Sequence, residues 1–206
     1  FAGMTIGTGI HLEPKTVALI LTLQDGGARL VSTGNLNTTQ PAAMDYLCAR
    51  GVTVIGQPTR DAAEHGAYLE KVIDEKPDII LDNGGDLFDR FPKKPYDNLK
   101  GGTEETTSGR TRLEPLRDQL AMPILVINDS PIKQFAENEH AVGQSVLESY
   151  MRITNRVTNG QRVTVFGYGA CGRGVARNFR AANAKVSVVE ADQVKRLQAH
   201  LDGYDT

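Results

Sequence analysis

Apolar and polar residues alternate along the chain in two repeating patterns. Short runs rich in β-branched residues, with the length and composition of buried strands, occur at residues 4–10, 28–34, 52–56, 78–82 and 123–128. Between these runs lie helix candidates, near residues 14–25, 40–50, 60–75 and 109–121. Strands that alternate with helices predict an α/β fold with a doubly wound parallel sheet. Such sheets bind ligands at the carboxyl ends of their strands.

A long amphipathic segment follows at residues 135–157 and is predicted to form one helix. Its apolar residues recur at spacings of three and four, at Val142, Val146, Tyr150, Ile153 and Val157. The stretch "TNGQR" would end this helix, with Gly160 as the cap residue.

A second β-α-β unit follows this helix, with a strand at 162–168, a helix at 171–182, a strand at 185–190 and a helix from residue 192. The sequence therefore predicts two doubly wound, Rossmann-like parallel-sheet domains. We expect the first at residues 1–157 and the second at residues 158–206, truncated after about its first half. Because the chain begins at Phe1 rather than methionine, we expect it to be a segment of a longer protein.

The composition excludes several classes of protein. A formal net charge of -2, with scattered basic residues, predicts no nucleic-acid partner and no anionic membrane partner. The longest apolar run, residues 17–23, is too short to cross a bilayer, and no signal peptide is predicted. Cys48 and Cys171 lie far apart, which favours a reducing, cytoplasmic location. The four histidines form no paired metal-binding pattern, so we predict no metal site.

A glycine-rich turn follows the first strand of the second unit. Gly167, Gly169 and Gly172 form G-x-G-x-x-G, with Gly174 as an additional glycine. The first glycine permits a tight turn, the second lets the backbone approach a pyrophosphate, and the third lets helix and strand pack closely. Glu190, at the end of the next strand, could accept hydrogen bonds from a ribose 2′-hydroxyl, which favours NAD over NADP. The alternative is a tight glycine turn that binds no ligand.

Five stretches together resemble the S-adenosylhomocysteine hydrolase family. They are "GIHLEPKT" (9–16), "NLNTTQ" (35–40), "DNGGDLF…GGTEETTSGRTRL" (82–113), "VINDSPIKQFAEN" (126–138) and "GYGACGRGVA" (167–176). The resemblance covers essentially the whole chain, in order. It implies a substrate domain followed by an NAD domain, and a later C-terminal tail that reaches a neighbouring protomer. The protein would then be a homo-oligomer, a dimer or a tetramer.

The resemblance also implies a reaction. NAD removes a hydride from the 3′ carbon of a purine nucleoside or nucleoside thioether. The resulting ketone makes the 4′ proton acidic, the 5′ substituent leaves, water adds, and the hydride returns.

Residue roles carry over by position within the matching stretches. His11 would act at the 5′ position, Glu105 would bind the ribose hydroxyls, and Lys133 would stabilise the 3′ alkoxide. Glu137 would be an acid/base partner of Lys133 or only its i,i+4 ion pair. By its position, Asn83 would also be a catalytic residue. The remaining substrate contacts would come from Glu13, Lys15, Thr16, Asn35, Thr38, Thr39 and Gln40. The cofactor contacts would come from Thr106, Thr107, Ser108, Asn138, Gly167, Gly169, Ala170, Cys171, Gly172, Arg173, Gly174 and Glu190.

Four positions depart from common forms of the family. Asn83 and Glu137 stand where the common form has aspartate, and an amide cannot take a proton at neutral pH. Glu13 and Lys15 resemble the archaeal and thermophile branch, which is linked to tolerance of hypoxanthine as well as adenine.

Ser108 alone could cap the helix predicted from residue 109, which would give "EETTSG" a structural role.

Three functions remain open at this point. The first is hydrolysis of S-adenosyl- or S-inosylhomocysteine. The second is a paralogue that uses the same 3′-oxidation to dehydrate a 5′-hydroxyl nucleoside, as in nucleoside antibiotic biosynthesis. The third is a non-catalytic regulator that binds NAD and a nucleoside.

Overall fold

The computed structural model describes all residues from Phe1 to Thr206. They form two compact units, Phe1–Asn128 and Asp129–Thr206. The predicted α/β class is confirmed, with parallel strands in both units. The predicted domain boundary near residue 157 differs from this division, because residues 129–157 group with the second unit. The extent of the functional domains stays a prediction.

The first unit contains a six-stranded parallel sheet in the order β3-β2-β1-β4-β5-β6. The strands are β1 Thr5–Gly9, β2 Arg29–Thr33, β3 Thr53–Val54, β4 Ile79–Asp82, β5 Gly101–Glu104 and β6 Ile124–Val126. The sequence pattern missed β5, which begins with two glycines, residues that are rare in strands. A Cβ at Gly102 would overlap the carbonyl of Ile80 on β4. Glycine therefore permits a close backbone approach here.

Four helices cover this sheet: α1 Pro14–Asp25, α2 Pro41–Ala49, α3 Ala62–Asp74 and α4 Thr107–Leu113. Proline at the first position of α1 and α2 is favourable, because no N–H is needed there. The helix predicted at 109–121 is shorter than expected. After α4 the chain continues as a 3₁₀ helix, Glu114–Gln119, because Pro115 cannot support an α-helical hydrogen bond.

The core of the first unit consists of two apolar clusters. Leu30 belongs to one cluster and Val31 to the other, as alternate residues of a strand point to opposite faces. The Leu30 cluster includes residues of α1 and α2, and the Val31 cluster includes residues of α3. Helices therefore cover both faces, and the carboxyl edge of the sheet is left for ligand chemistry.

The second unit begins with a π-helix rather than with the single α-helix expected at 135–157. Its elements are the π-helix Lys133–Ala141, α5 Val142–Thr154, β7 Arg162–Phe166, α6 Ala170–Ala181, β8 Lys185–Val189 and α7 Gln193–Leu201. Asn155, with φ of 50°, caps α5 in place of the expected Gly160. Gly160, with φ of 74°, lies in the following turn. Neither unit has a helix with both the length and the apolar character needed to span a bilayer.

Candidate functional site

The carboxyl ends of β1, β4 and β5 carry three of the predicted site residues. His11, Asn83 and Glu105 each follow one of these strands by one or two residues. The strand order reverses between β1 and β4, and Gly9 of β1 pairs in register with Asp82 of β4. The crevice at such a reversal is where doubly wound sheets bind ligands. The structure therefore brings these residues to the edge that ligands use.

The His11 imidazole is held by the loop after β2, and its backbone by the first turn of α1. Its Nδ1 lies 2.5 Å from Oγ1 of Thr38, in the loop after β2. The hydroxyl of Thr16 donates to the His11 carbonyl and also accepts from the Glu13 backbone N–H. With Nδ1 engaged by Thr38, Nε2 is the ring nitrogen left for another partner.

The other predicted substrate residues have local structural contacts. Thr39 donates to the carbonyl of Asn35 at 3.0 Å, which closes the turn after β2. The Gln40 backbone N–H donates to the carbonyl of Leu12, which ties this turn to the loop after β1. Lys15 is 81% exposed and pairs with Glu13 at 3.2 Å. Their substrate contacts stay predictions.

Asn83 and Glu105 are joined by a direct hydrogen bond. Nδ2 of Asn83 donates to Oε2 of Glu105 at 2.6 Å. The Asn83 side chain is buried, and Glu105 is half-buried. One carboxylate oxygen of Glu105 is thereby committed to the amide, and Oε1 is left for other donors.

Two buried carboxylates beneath this pair were not identified from the sequence. Asp82 is 1% exposed and Glu104 is 0% exposed. Asp82 accepts from the backbone N–H groups of Asn83, Leu87 and Phe88. Burial raises the pKa of Asp82 to about 7, and the negative charge of Glu104 adds to this effect. The available sequence signal was an acidic residue directly before each predicted site residue, and Asp82 also ends a predicted strand.

The "EETTSG" stretch forms the amino-terminal cap of α4. Oγ1 of Thr106 accepts from the Gly109 N–H at 2.9 Å and donates to Glu104 at 2.8 Å. The expectation that Ser108 caps this helix is wrong, since the helix begins at Thr107. Ser108 Oγ instead lies 3.1 Å from Thr106 Oγ1. Oγ1 of Thr107 accepts from the side-chain amide of Asn128, which follows β6.

In the second unit, the π-helix brings Lys133, Glu137 and Asn138 together. Nζ of Lys133 lies 2.8 Å from Oε1 of Glu137 and 2.8 Å from Oδ1 of Asn138. The Lys133 side chain is only 11% exposed. Burial raises the pKa of the Cys171 thiol, while the nearby positive charge of Lys133 opposes this shift. The first turn of α6, which contains Cys171, therefore adjoins the lysine cluster.

Each glycine of the G-x-G-x-x-G turn has a structural reason. Gly167 has φ of 94°, a conformation that favours glycine. Gly169 has no heavy atom within 4 Å of an added Cβ, so the space above its backbone is open. At Gly172 a Cβ would overlap the Gly167 carbonyl. At Gly174 a Cβ would overlap the carbonyl of Glu139 in the π-helix, which indicates a packing role.

The remaining predicted cofactor residues surround this turn. Glu190 accepts from the Tyr168 and Asp192 backbone N–H groups, and these donors lower the pKa of its carboxyl, with Asp192 first. Ala170 is the first residue of α6. The Arg173 side chain lies 3.4 Å from Glu139. An open backbone at Gly169, the amino terminus of α6 and a carboxylate after β8 fit a dinucleotide.

Sequence profiles of one family match most of the chain. S-adenosyl-L-homocysteine hydrolase matches residues 1–94, and the NAD-binding domain of the same hydrolase matches residues 138–206. The chain belongs to the S-adenosyl-L-homocysteine hydrolase family. The predicted family and the predicted cofactor, NAD, are thereby confirmed.

Two curated relatives align over nearly the whole chain. Adenosylhomocysteinase of Thermotoga maritima is 41% identical over 209 residues, which cover 98% of this chain and 52% of that protein. S-inosyl-L-homocysteine hydrolase of Methanocaldococcus jannaschii is 39% identical over 210 residues, covering 99% and 51%. The chain spans about half the length of the curated relatives it matches.

Among solved structures, a dipicolinate synthase chain from Bacillus halodurans is similar in fold. The TM-score is 0.56 at 16% identity, and the match covers 99% of this chain and 68% of that one. A likeness at this identity concerns the fold alone.

Proposed function

We propose that the protein containing this chain hydrolyses S-adenosyl- or S-inosylhomocysteine to the nucleoside and homocysteine, with NAD as its cofactor. The names of the two relatives support hydrolysis and leave the purine base open between adenine and hypoxanthine. The observation that carries the proposal is the Lys133 ammonium. It is 11% exposed and lies between Glu137 and Asn138, in the unit that contains the dinucleotide turn.

Lys133 would act on the 3′ oxygen of the ribose. The glycine turn and Glu190 would hold NAD, which would supply reversible hydride transfer at the 3′ carbon. Lys133 would stabilise the negative charge that develops on the 3′ oxygen as its proton leaves. Glu137 and Asn138 would hold the ammonium in one orientation. Glu137 could also accept a proton from the Lys133 ammonium.

His11 and Glu105 would act on the nucleoside. The His11 ring is oriented through Nδ1 by Thr38, so Nε2 would exchange a proton at the 5′ position. Glu105 would bind ribose hydroxyls through Oε1, while Oε2 accepts from Asn83. Because the amide of Asn83 cannot take a proton at neutral pH, the 4′ proton would go to another group.

Two alternatives have less support. A nucleoside dehydratase would also suit an amide at Asn83, yet both relatives bear the names of hydrolases. A non-catalytic regulator would not need a desolvated ammonium beside the dinucleotide turn, and such a group is costly to bury.

The direct test mixes the full-length protein with S-adenosylhomocysteine, S-inosylhomocysteine and adenosine. We expect transient reduced-nicotinamide absorbance together with release of free homocysteine thiol. Reduction without thiol release, accompanied by loss of the 5′-hydroxyl of adenosine, would support the dehydratase. No reduction with any nucleoside would contradict both enzymatic functions.

A matched pair of variants tests the role of Lys133. Lys133→Gln should lower kcat for thiol release by about 100-fold or more, as expected when transition-state charge stabilisation is lost. Lys93→Gln, at a side chain that is 68% exposed, should leave kcat unchanged. Equal rates for the two variants would exclude the proposed role.

The assembly and location of the protein are also part of the proposal. We propose a cytoplasmic homo-oligomer, a dimer or tetramer. Both cysteines are unpaired, which fits a reducing compartment. Light scattering on the full-length protein would give a monomeric mass if the oligomer is absent.

A further inference from the structure

Glu104, the last residue of β5, is a buried carboxylate with four donors. Its Oε1 accepts from the Gly84 N–H at 3.0 Å and from the backbone N–H and hydroxyl of Thr106 at 2.7 and 2.8 Å. Its Oε2 accepts from the Gly85 N–H at 2.8 Å. The side chain is 0% exposed. A carboxylate that is buried away from water needs such hydrogen-bond donors to offset its loss of hydration.

The four donors come from two different strand ends. Gly84 and Gly85 directly follow Asn83 after β4, and Thr106 directly follows Glu105 after β5. One carboxylate therefore ties together the backbone on the carboxyl side of both residues. Nδ2 of Asn83 and Oε2 of Glu105 lie 2.6 Å apart, at the partly open edge of the sheet.

Asp82 supports the same arrangement from the neighbouring strand. It pairs in register with Glu104 and accepts from three N–H groups of the loop that begins at Asn83. The loop 83–88 is thus held at its start by both carboxylates and at its end by Asp82. Apolar side chains at these positions could fill the space, but they could not hold the loop N–H groups.

We infer that Glu104 is a positioning residue that fixes Asn83 and Glu105 relative to each other for catalysis. The inference rests on the proposed function, because it assumes that this pair contacts the nucleoside. Glu104 itself lies too deep to touch a ligand. It acts through the backbone on either side.

The first test is Glu104→Gln, which keeps the shape of the side chain but replaces one acceptor oxygen with an NH₂ group. With its carbonyl oxygen retained at the position of Oε1, the amide group would face the Gly85 N–H, donor against donor. We expect faster hydrogen exchange at the Gly85 amide. We also expect kcat of the full-length enzyme to fall by about 10- to 100-fold with a smaller change in KM, because misplacement of a reacting group affects mainly the chemical step.

The second test moves the carboxylate without removing its charge. A Cβ at Gly109 would overlap the carboxyl group of Glu104, so Gly109→Ala should displace it from its donors. The same exchange change and the same kcat loss are expected. Glu148→Gln, at a side chain that is 58% exposed on α5, is the matched control and should change neither.

The outcomes separate the two proposals. If the wild-type enzyme shows no nucleoside-dependent cofactor reduction, the proposed function fails, whatever the exchange data show. If the wild type is active and either variant exchanges faster at Gly85 yet keeps its kcat, Glu104 is only structural and the inference is overturned. Unchanged exchange in both variants would overturn it as well.

Discussion

At the scale of single residues, the amide of Asn83 places a hydrogen-bond donor, and no carboxyl group, beside Glu105 at the sheet edge. This amide donates to Glu105, which must therefore accept at Oε2. In the form of the family that has aspartate at this position, two carboxyl groups would meet at this distance. Such a pair cannot both be ionised without strong repulsion, so it retains one proton. Asparagine provides the same contact without that proton.

Asn83→Asp should therefore introduce a pH dependence. Below the apparent pKa of the new pair, the shared proton preserves the contact and can take part in proton transfer. In this pH range kcat of the variant should exceed that of the wild type. Above it, both groups ionise and repel, so the unfolding free energy of the variant should fall relative to the wild type as the pH rises. Profiles of kcat and of urea stability against pH measure this change. Asn183→Asp, at an exposed position, serves as control, and parallel profiles for both variants would contradict the account.

At the scale of elements, the π-helix and α6 determine which side chains converge. A π-helix places residue i+5 beneath residue i, whereas in an α-helix the neighbours are i+3 and i+4. Lys133 therefore reaches both Glu137 and Asn138. Two glycines allow α6 to pack against this segment. A Cβ at Gly143 would overlap the backbone of Gly174, and a Cβ at Gly174 would overlap the Glu139 carbonyl.

Two glycine substitutions should separate packing from cofactor binding. Gly174→Ala would overlap Glu139 and should destabilise the second unit by about 1–3 kcal/mol, as overpacking does. Gly169→Ala meets no protein atom within 4 Å, so stability should hold while NAD affinity falls about tenfold or more. Thermal unfolding without added cofactor and calorimetric titration with NAD measure these two effects. A stable Gly174→Ala variant, or unchanged NAD affinity in Gly169→Ala, would contradict the respective assignment.

At the scale of the whole molecule, the buried carboxylates link stability to pH. Burial raises the pKa of Asp82 from 3.8 to about 7, and Glu104 and Asp86 contribute negative charge beside it. Asp86 is itself paired with Arg112 and Arg90. The folded state therefore holds a proton that the unfolded state has lost between about pH 4 and pH 7. In this window the contribution of Asp82 to the free energy of unfolding decreases as the pH rises.

Asp82→Asn should remove this contribution. From pH 4 to pH 7 the wild type should lose unfolding free energy relative to the variant. Above pH 7 the difference between the two proteins should stay constant. Urea denaturation across this range provides the measurement. Asp45→Asn, at an exposed position, is the control, and a difference that is independent of pH would contradict the assigned titration.

The sequence by itself determined the α/β class, the positions of five of the six strands of the first unit, the strand-end location of His11 and Asn83, and the glycine turn. These features depend on local patterns, namely the period of apolar residues and the special conformations of glycine and proline. Only the tertiary structure decided the rest. Strand β5 depends on a backbone contact with Ile80, and the burial of Glu104 depends on donors twenty residues away in the chain. The π-helix and the grouping of residues 129–157 with the second unit likewise depend on packing against distant segments, which no local pattern encodes.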